Sequence, residues 1–202
     1  MTETAPARRF YWQRHTDGQG SWGERGSPPG ADLAALRRGI GREPGSVPEM
    51  WPYYTTLTEN GAITQRLRAE HLALTLFAVH QQSQSQPVHR ERVGLGTAVL
   101  ALRRSERFSP DAVDRRFGAA ATATSLNEVA HHVRGLLTQI RGLPSQPGLD
   151  YARLFDDLRS WQSPEWCSAV RRRWGAQYFV WTPESSNPES SNQDPDTAEI
   201  PH

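Results

Sequence analysis

Apolar positions along this 202-residue chain fall at helical spacing in block after block, and no stretch alternates with the two-residue period of a strand. Residues 31–40 (ADLAALRRGI) are strong helix formers, and Gly39 or Gly41 is placed to stop them. Residues 62–79 (AITQRLRAEHLALTLFAV) begin amphipathic and become apolar on nearly every side, which predicts a buried central helix. Ser109-Pro110-Asp111 reads as an N-cap, a first-turn proline and a first-turn acid, launching a helix through Phe117. Ser125 and Glu128 form a capping box ahead of a stripe of Leu126, Val129, Val133, Leu136, Leu137 and Ile140. Asp150 caps a helix bearing Tyr151, Leu154, Phe155, Leu158 and Trp161. Ser163-Pro164-Glu165 opens the last, with Trp166, Val170, Trp174 and Tyr178 four residues apart. The predicted fold class is all-α, a single helical-bundle domain of about eight or nine helices over residues 8–181.

Polar segments mark the connections and the ends. Gly, Ser and Pro make a loop of residues 17–30, and QQSQSQPVHRER makes another near 81–92. Residues 1–7 are expected to be loose. Residues 182–202 hold one large aliphatic side chain, Ile200, too little apolar surface to offset the entropy of ordering them, and are expected to be a disordered acidic tail.

Composition narrows the function classes. Only 36% of residues are hydrophobic and the mean hydropathy is −0.69. No apolar run is long enough to span a bilayer and no signal-peptide core follows Met1, so a cytoplasmic protein that does not engage membranes is expected. Cys167 is the lone cysteine, which excludes an intramolecular disulfide and a multi-cysteine zinc site. All 23 basic side chains are arginine, a bias that a GC-rich genome also produces. Its physical consequence is a surface of planar, weakly hydrated guanidinium groups suited to phosphate. The net charge of +1 conceals a segregation. Glu184, Glu189, Asp194, Asp196 and Glu199 lie in the tail, which has no arginine, so residues 1–181 carry a surplus of six positive charges.

Catalytic and metal-site readings find little support. His71, His80 and His89 are nine residues apart, and His131 and His132 point to different sides of a helix. His71 is expected in the core and the other histidines at the surface. Asp156 and Asp157 diverge by about 100° on their helix and read as a solvated face. Cys167 has no motif partner, and neither a nucleophile elbow nor a lysine-dependent phosphate loop is present. No enzyme activity, cofactor or metal is expected. Trp161, Trp166 and Trp174 read as core, whereas Trp22, in a glycine loop, is free to cap the core or insert into a partner.

The arginines remain. Arg37 and Arg38 end a helix, where its dipole alone favours them, and Arg42 follows across a turn. Arg103 and Arg104 lie between two helices, Arg115 and Arg116 precede Phe117, and Arg134 and Arg141 share a face opposite the apolar stripe, extended by His131. A lone doublet is usually a solvated face. Several doublets beside a segregated acidic tail point to a phosphate-binding surface.

Four longer blocks carry a family resemblance: AALRRGIGREPGSVPEMWPYY, LGTAVLALRR, VDRRFGAAATATSLNEVAHHVRGLLTQIRG and LDYARLFDDLRSWQSPEWCSAVRRRWGAQYFV, preceded by a short aromatic segment. In this order they resemble the CasB family, the small subunit of the type I-E CRISPR Cascade complex, over about residues 8–181. The resemblance implies an all-helical, non-catalytic protein that sits as a dimer among the backbone and large subunits. It also implies contact with the backbone of crRNA, target DNA and the displaced strand without reading sequence. Arg37 and Arg38 match the family's early doublet, Arg115 and Arg116 its arginine-phenylalanine segment, and Arg134 the arginine before its leucine pair. Arg42, Arg103, Arg104 and Arg141 are the next candidates. Positions that are lysine in many relatives are arginine or uncharged here, and the acidic tail is an addition to the pattern. Two other readings compete: a sequence-specific helix-turn-helix regulator, and a protein-only scaffold whose arginines pair with acidic neighbours.

Overall fold

The computed structural model describes residues 9–179, and the expectations for residues 1–7 and 182–202 lie outside them. Seven α-helices account for most of the described chain: α1 Gly30–Arg38, α2 Gln65–Gln81, α3 Leu95–Arg103, α4 Pro110–Thr122, α5 Leu126–Ile140, α6 Tyr151–Trp161 and α7 Pro164–Tyr178. Two 3₁₀ turns, Trp12–Arg14 and Pro48–Tyr53, complete the helical content. Among the described residues the extended contacts are isolated bridges, Thr16 with Trp22 and His89 with Leu149. The all-α expectation holds.

α2 is the centre of the bundle, packing against α1, α5 and α6, while α3 packs on α7, α4 and α5. It starts at Gln65, three residues later than the apolar pattern suggested, because the Thr64 hydroxyl caps the amide of Leu67 at 3.1 Å. The predicted cap at Ser125 accepts from the Glu128 amide, and Asp150 accepts from Arg153. Glu128 in turn accepts from the backbone of Thr124, one residue before the expected partner. Ser109 occupies its N-cap position without a side-chain bond, and α4 runs five residues past Phe117.

Burial along α2 is nearly all-round, so its polar groups must find partners inside the protein. Both carboxylate oxygens of Glu70 are saturated by the backbone amides and hydroxyls of Thr55 and Thr56, at 2.6–2.9 Å. His71 Nε2 donates to the Gly39 carbonyl at 2.9 Å while its Nδ1 accepts from the Tyr54 hydroxyl at 2.6 Å. This pair of partners fixes the neutral tautomer. Gly39 sits where a Cβ would lie 2.2 Å from Met50 Sδ and 2.8 Å from His71, so α1 ends at a close approach that only glycine permits. Trp12 is wholly buried among Phe10, Phe77, Tyr151 and His89, tying the N-terminal turn to α2 and α6.

Three expectations are corrected. His15, His80 and His89 join His71 in the interior. His80 Nδ1 pairs with the Tyr151 hydroxyl at 2.9 Å, and His89 Nδ1 accepts from the Tyr151 amide at 3.2 Å. Asp157 is buried instead of solvated: it accepts from Trp174 Nε1 at 2.7 Å and pairs with Arg173, fastening α6 to α7. Trp166 is 62% exposed: a four-residue repeat drifts about 40° per step, which sets Trp166 about 80° around α7 from Trp174, the residue that packs on Trp161. Trp22 is half-buried and its Nε1 donates to the Ser85 carbonyl at 3.0 Å, pinning one predicted loop to the other.

α3 and α7 meet at backbone distance. A Cβ on Gly96 would fall 2.3 Å from the Trp174 carbonyl oxygen and 3.0 Å from the Tyr178 amide nitrogen. Gly96→Ala is therefore expected to cost about 3 kcal/mol or more through overpacking, despite the better helix propensity of alanine. Gly135→Ala on α5, where nothing lies within 4 Å of the added carbon, is expected to gain up to about 1 kcal/mol. Thermal melts of the two variants should move in opposite directions.

The buried histidines give the fold a pH dependence of defined sign. Burial lowers the pKa of His80 from 6.5 to about 3 and lowers those of His71 and His89 as well. Each group therefore contributes stability that is complete above the unfolded value of 6.5 and is lost as pH falls below it. Asp157, whose pKa burial raises, acts in the opposite sense at one site against three. Lowering the pH from about 7 to about 5 is expected to remove about 2 kcal/mol through His80 alone. The melting temperature should fall by about 5 °C or more, and a flat profile over that range would contradict the neutral, buried histidines.

Candidate nucleic-acid interface

An open cleft of about 1200 Å³ runs between the loop after α1, the first half of α2, the start of α5 and the α6–α7 junction. Arg42, Arg68, Arg134 and Arg171 line it, and Glu43 is its one carboxylate. Ile40, Leu72, Leu126 and Trp161 contribute apolar lining, so the cleft combines charge with apolar surface. The N-termini of α5 and α7 both open onto it, at Ser125-Leu126-Asn127 and at Pro164. Ser125 caps the Glu128 amide of α5, and at α7 Pro164 has no N–H while the amides of Trp166 and Cys167 bond to the Ser163 carbonyl, so the two termini contribute the field of their helix dipoles.

The nine arginines named from the sequence are dispersed by the fold. Arg42 is exposed, and Arg134 is half-buried on α5 with Nη2 3.4 Å from His131 Nδ1; these two share the cleft. Arg104, Arg115 and Arg116 are exposed on the adjoining α3–α4 corner and make no side-chain hydrogen bond within the described residues. Arg37 is half-buried in the last turn of α1. Its neighbour Arg38 forms an exposed ion pair with Glu49 at 3.0 Å, a contact that water and salt weaken.

Two of the nine are engaged in holding the fold. Arg103 makes a forked contact to Asp114 at 2.8 and 3.3 Å, and Asp114 also accepts the Tyr178 hydroxyl at 2.5 Å. Those two donors hold the Asp114 carboxyl below the usual carboxylate range. Arg141 was expected on the outer face with Arg134. Instead its Nη1 donates to the Val79 carbonyl at 3.0 Å and to Gln82 at 3.2 Å, closing the end of α2. Seven residues fall only about 20° short of two helical turns, but Arg141 lies just past the end of α5, where helical spacing no longer sets its direction.

Arg68 and Arg171 were not singled out in the sequence. Arg68 lies in the segment read as core, on the outer face of the second turn of α2. Arg171 belongs to an arginine triplet whose three members the fold uses differently. Arg171 stacks over Trp161 at 5.2 Å and donates to the Ala123 carbonyl at 2.8 Å; Arg172 is exposed; Arg173 pairs with Asp157. The triplet itself was a signal, since three successive arginines on a helix fan across about 200° of its circumference and point to different neighbours.

Among the described residues no group of three or more His, Cys, Asp or Glu could hold a metal ion. Cys167 lines the cleft but is buried, without a base in hydrogen-bond contact. No helix among the described residues is long and apolar enough to cross a membrane. What the cleft can do with these groups is bind an extended anion.

Comparison with known proteins agrees with this architecture. The family model for CRISPR-associated protein Cse2 matches residues 32–179. A CRISPR-associated protein Cse2 from Thermus thermophilus is 30% identical over 87% of this chain and 90% of its own length. The crystal structure of CasB from Thermobifida fusca superposes with a TM-score of 0.59 at 28% identity, covering 74% of this chain and 84% of that one. The crystal structure of CasB from Thermus thermophilus gives 0.56 at 28% identity, covering 75% and 86%. The family match begins within α1 and ends at the last described residue, so it spans all seven helices that build the cleft. The chain belongs to the CRISPR-associated Cse2 family, also called CasB.

Proposed function

We propose that this chain is a non-catalytic, cytoplasmic small subunit of a type I-E Cascade complex that grips nucleic-acid backbone without reading sequence and so stabilises the R-loop. Its partners in this reading are the crRNA, the target DNA and displaced strand, the backbone and large subunits, and a second copy of itself. The observation that carries the reading is the cleft, which four arginines line against a single carboxylate. Such an arrangement suits phosphate.

Energetics favour this kind of device. Exchanging a DNA duplex for a guide–target heteroduplex is close to balanced, so a modest grip on a released strand shifts the balance towards the open state. Guide pairing supplies the specificity, and a backbone contact adds affinity equally for every target. Arg42, Arg68 and Arg134 carry the grip in the cleft, with Arg171 positioned by Trp161 and Ala123. Arg104, Arg115 and Arg116 offer a second, exposed row.

The test is R-loop formation by the reconstituted complex across a salt series. One variant combines Arg42→Ala, Arg68→Ala and Arg134→Ala; the other combines Arg104→Ala, Arg115→Ala and Arg116→Ala. Each lost phosphate contact is expected to reduce the log–log salt slope by about 0.7–0.9. The cleft variant should assemble normally and lose about two to three contacts' worth of slope. If it supports R-loops like wild type at every salt concentration, the cleft is not the grip. If targets of different sequence lose unequal amounts, backbone binding is the wrong mode.

A further inference from the structure

The turn at residues 43–46 divides two openings. Glu43 and Pro44 line the arginine cleft and also line an apolar trough of about 630 Å³, which lies between that turn and the loop of residues 57–63. Pro44, Trp51, Leu57, Ile63 and Leu67 supply its apolar surface. Trp51 is 53% exposed and Leu57 45%, although both are large apolar side chains. An open tryptophan set in apolar surroundings is the kind of residue that dominates contacts between proteins.

The trough is built in advance of any occupant. Trp51 Nε1 donates to the Gly45 carbonyl at 2.7 Å, and the Gly45 amide donates to the Tyr54 hydroxyl at 3.3 Å, so one residue fixes the indole to the core. Gly45 has a φ of +80°, and a side chain there would lie against Leu57 and Leu67 and begin to fill the trough. One wall is closed by the Ser46 amide and hydroxyl donating to the Glu43 carbonyl at 3.1 and 2.7 Å. The opposite wall is closed by the Gly61 amide on the Thr58 carbonyl and the Thr58 hydroxyl on the Ala62 carbonyl, at 3.0 and 3.2 Å. With both walls already held, little ordering entropy is left to lose on docking.

Charge selects the occupant. Glu43 and Glu59 are exposed in the lining, and neither carboxylate has a hydrogen bond or ion pair among the described residues. The same lining includes no arginine. Two uncompensated carboxylates repel phosphate, so a nucleic-acid strand or an anionic membrane surface is a poor occupant. A polypeptide that sets an apolar anchor between basic side chains satisfies both the trough and its rim.

We propose that this trough docks a segment of a different protein chain, in which an apolar side chain seated against Trp51 and Leu57 is flanked by arginine or lysine paired with Glu43 and Glu59. The docking rests on the trough alone; that the partner is a neighbouring subunit rests on the Cascade reading above.

The test uses the full chain in a charge-reversed form, Glu43→Arg with Glu59→Arg, and an anchor form, Leu57→Ser. A control, Glu24→Arg with Glu91→Arg, reverses two exposed acids elsewhere. Each is labelled and titrated into the reconstituted complex lacking this subunit. Glu43 also lines the arginine cleft, so the two modes of retention give opposite signs. A chain held by nucleic acid alone binds more tightly after charge reversal, whereas a chain docked through the trough binds about tenfold more weakly. The anchor form should weaken by a similar factor and the control by less than about twofold. Tighter or unchanged binding of the charge-reversed form would overturn the docking. So would a dimer of the free chain that the charge reversal splits, since the occupant is then a second copy. The second readout needs no complex. A short capped peptide with one leucine between two arginines should shift the amides of Gly45, Leu57 and Gly61 at about 50 mM salt, where screening is weak. The same peptide with glutamates for the arginines should leave them in place. Shifts with neither peptide, or equal shifts with both, would also overturn the docking. Selective shifts in a chain that never joins the complex leave the docking standing and count against the Cascade reading.

Discussion

A helix buried on almost every side has no water to satisfy its polar groups, and α2 carries Glu70, His71, Thr75, His80 and Gln81 in that position. Thr75 bonds back to the Leu72 carbonyl of its own helix at 2.9 Å, whereas the others take partners from elsewhere in the chain, and those partners arrange much of the molecule. Glu70 draws Thr55 and Thr56 onto the helix, and His71 fixes the end of α1 through Gly39 and the loop beyond it through Tyr54. Gln81 holds the following loop by donating to Gln84 and Gln86 and accepting from Val88. His80 reaches Tyr151 on α6. Leaving any one of these buried groups unpaired costs about 1–3 kcal/mol, a large fraction of a domain's net stability.

The same constraint builds the cleft. Because His71 ties the α1 terminus to α2, the loop carrying Arg42 is held beside the helix face that carries Arg68. α5 packs on α2, which sets Arg134 across from them, and Arg141 locks that arrangement at the far end of α2 through the Val79 carbonyl. The buried pairing of Asp157 with Trp174 and Arg173 fixes α7 against α6, and this places Arg171 and the α7 N-terminus at the same opening. Positive charge thus collects from four separate parts of the chain, positioned by neutral or fully paired groups beneath them. Self-repulsion among the arginines is tolerable because the cleft is open to water and screened.

Much of the fold was legible in the sequence because its signals are local. Capping residues at Ser125 and Asp150, the proline at Pro164 and apolar stripes at helical spacing depend on neighbours within a turn or two. The site was less legible because it depends on which arginine finds a carboxylate or carbonyl far away in sequence. Arg103 and Arg134 look alike in the chain, yet one is forked onto Asp114 and the other faces the cleft. Arg68 was hidden by the apolar character of its helix, and Asp157 passed for a surface acid until Arg173 and Trp174 were seen to enclose it. His80 and His89 escaped notice for the same reason, since their partner Tyr151 lies 71 and 62 residues away.

The most direct measurement is the position of the nucleic-acid backbone in a structure of the reconstituted complex holding an R-loop. The account expects phosphate oxygens within about 3 Å of the guanidinium groups of at least two of Arg42, Arg68 and Arg134, with no base edge contacted in the cleft. A backbone that bypasses the cleft, or a neighbouring protein subunit filling it, would contradict the account.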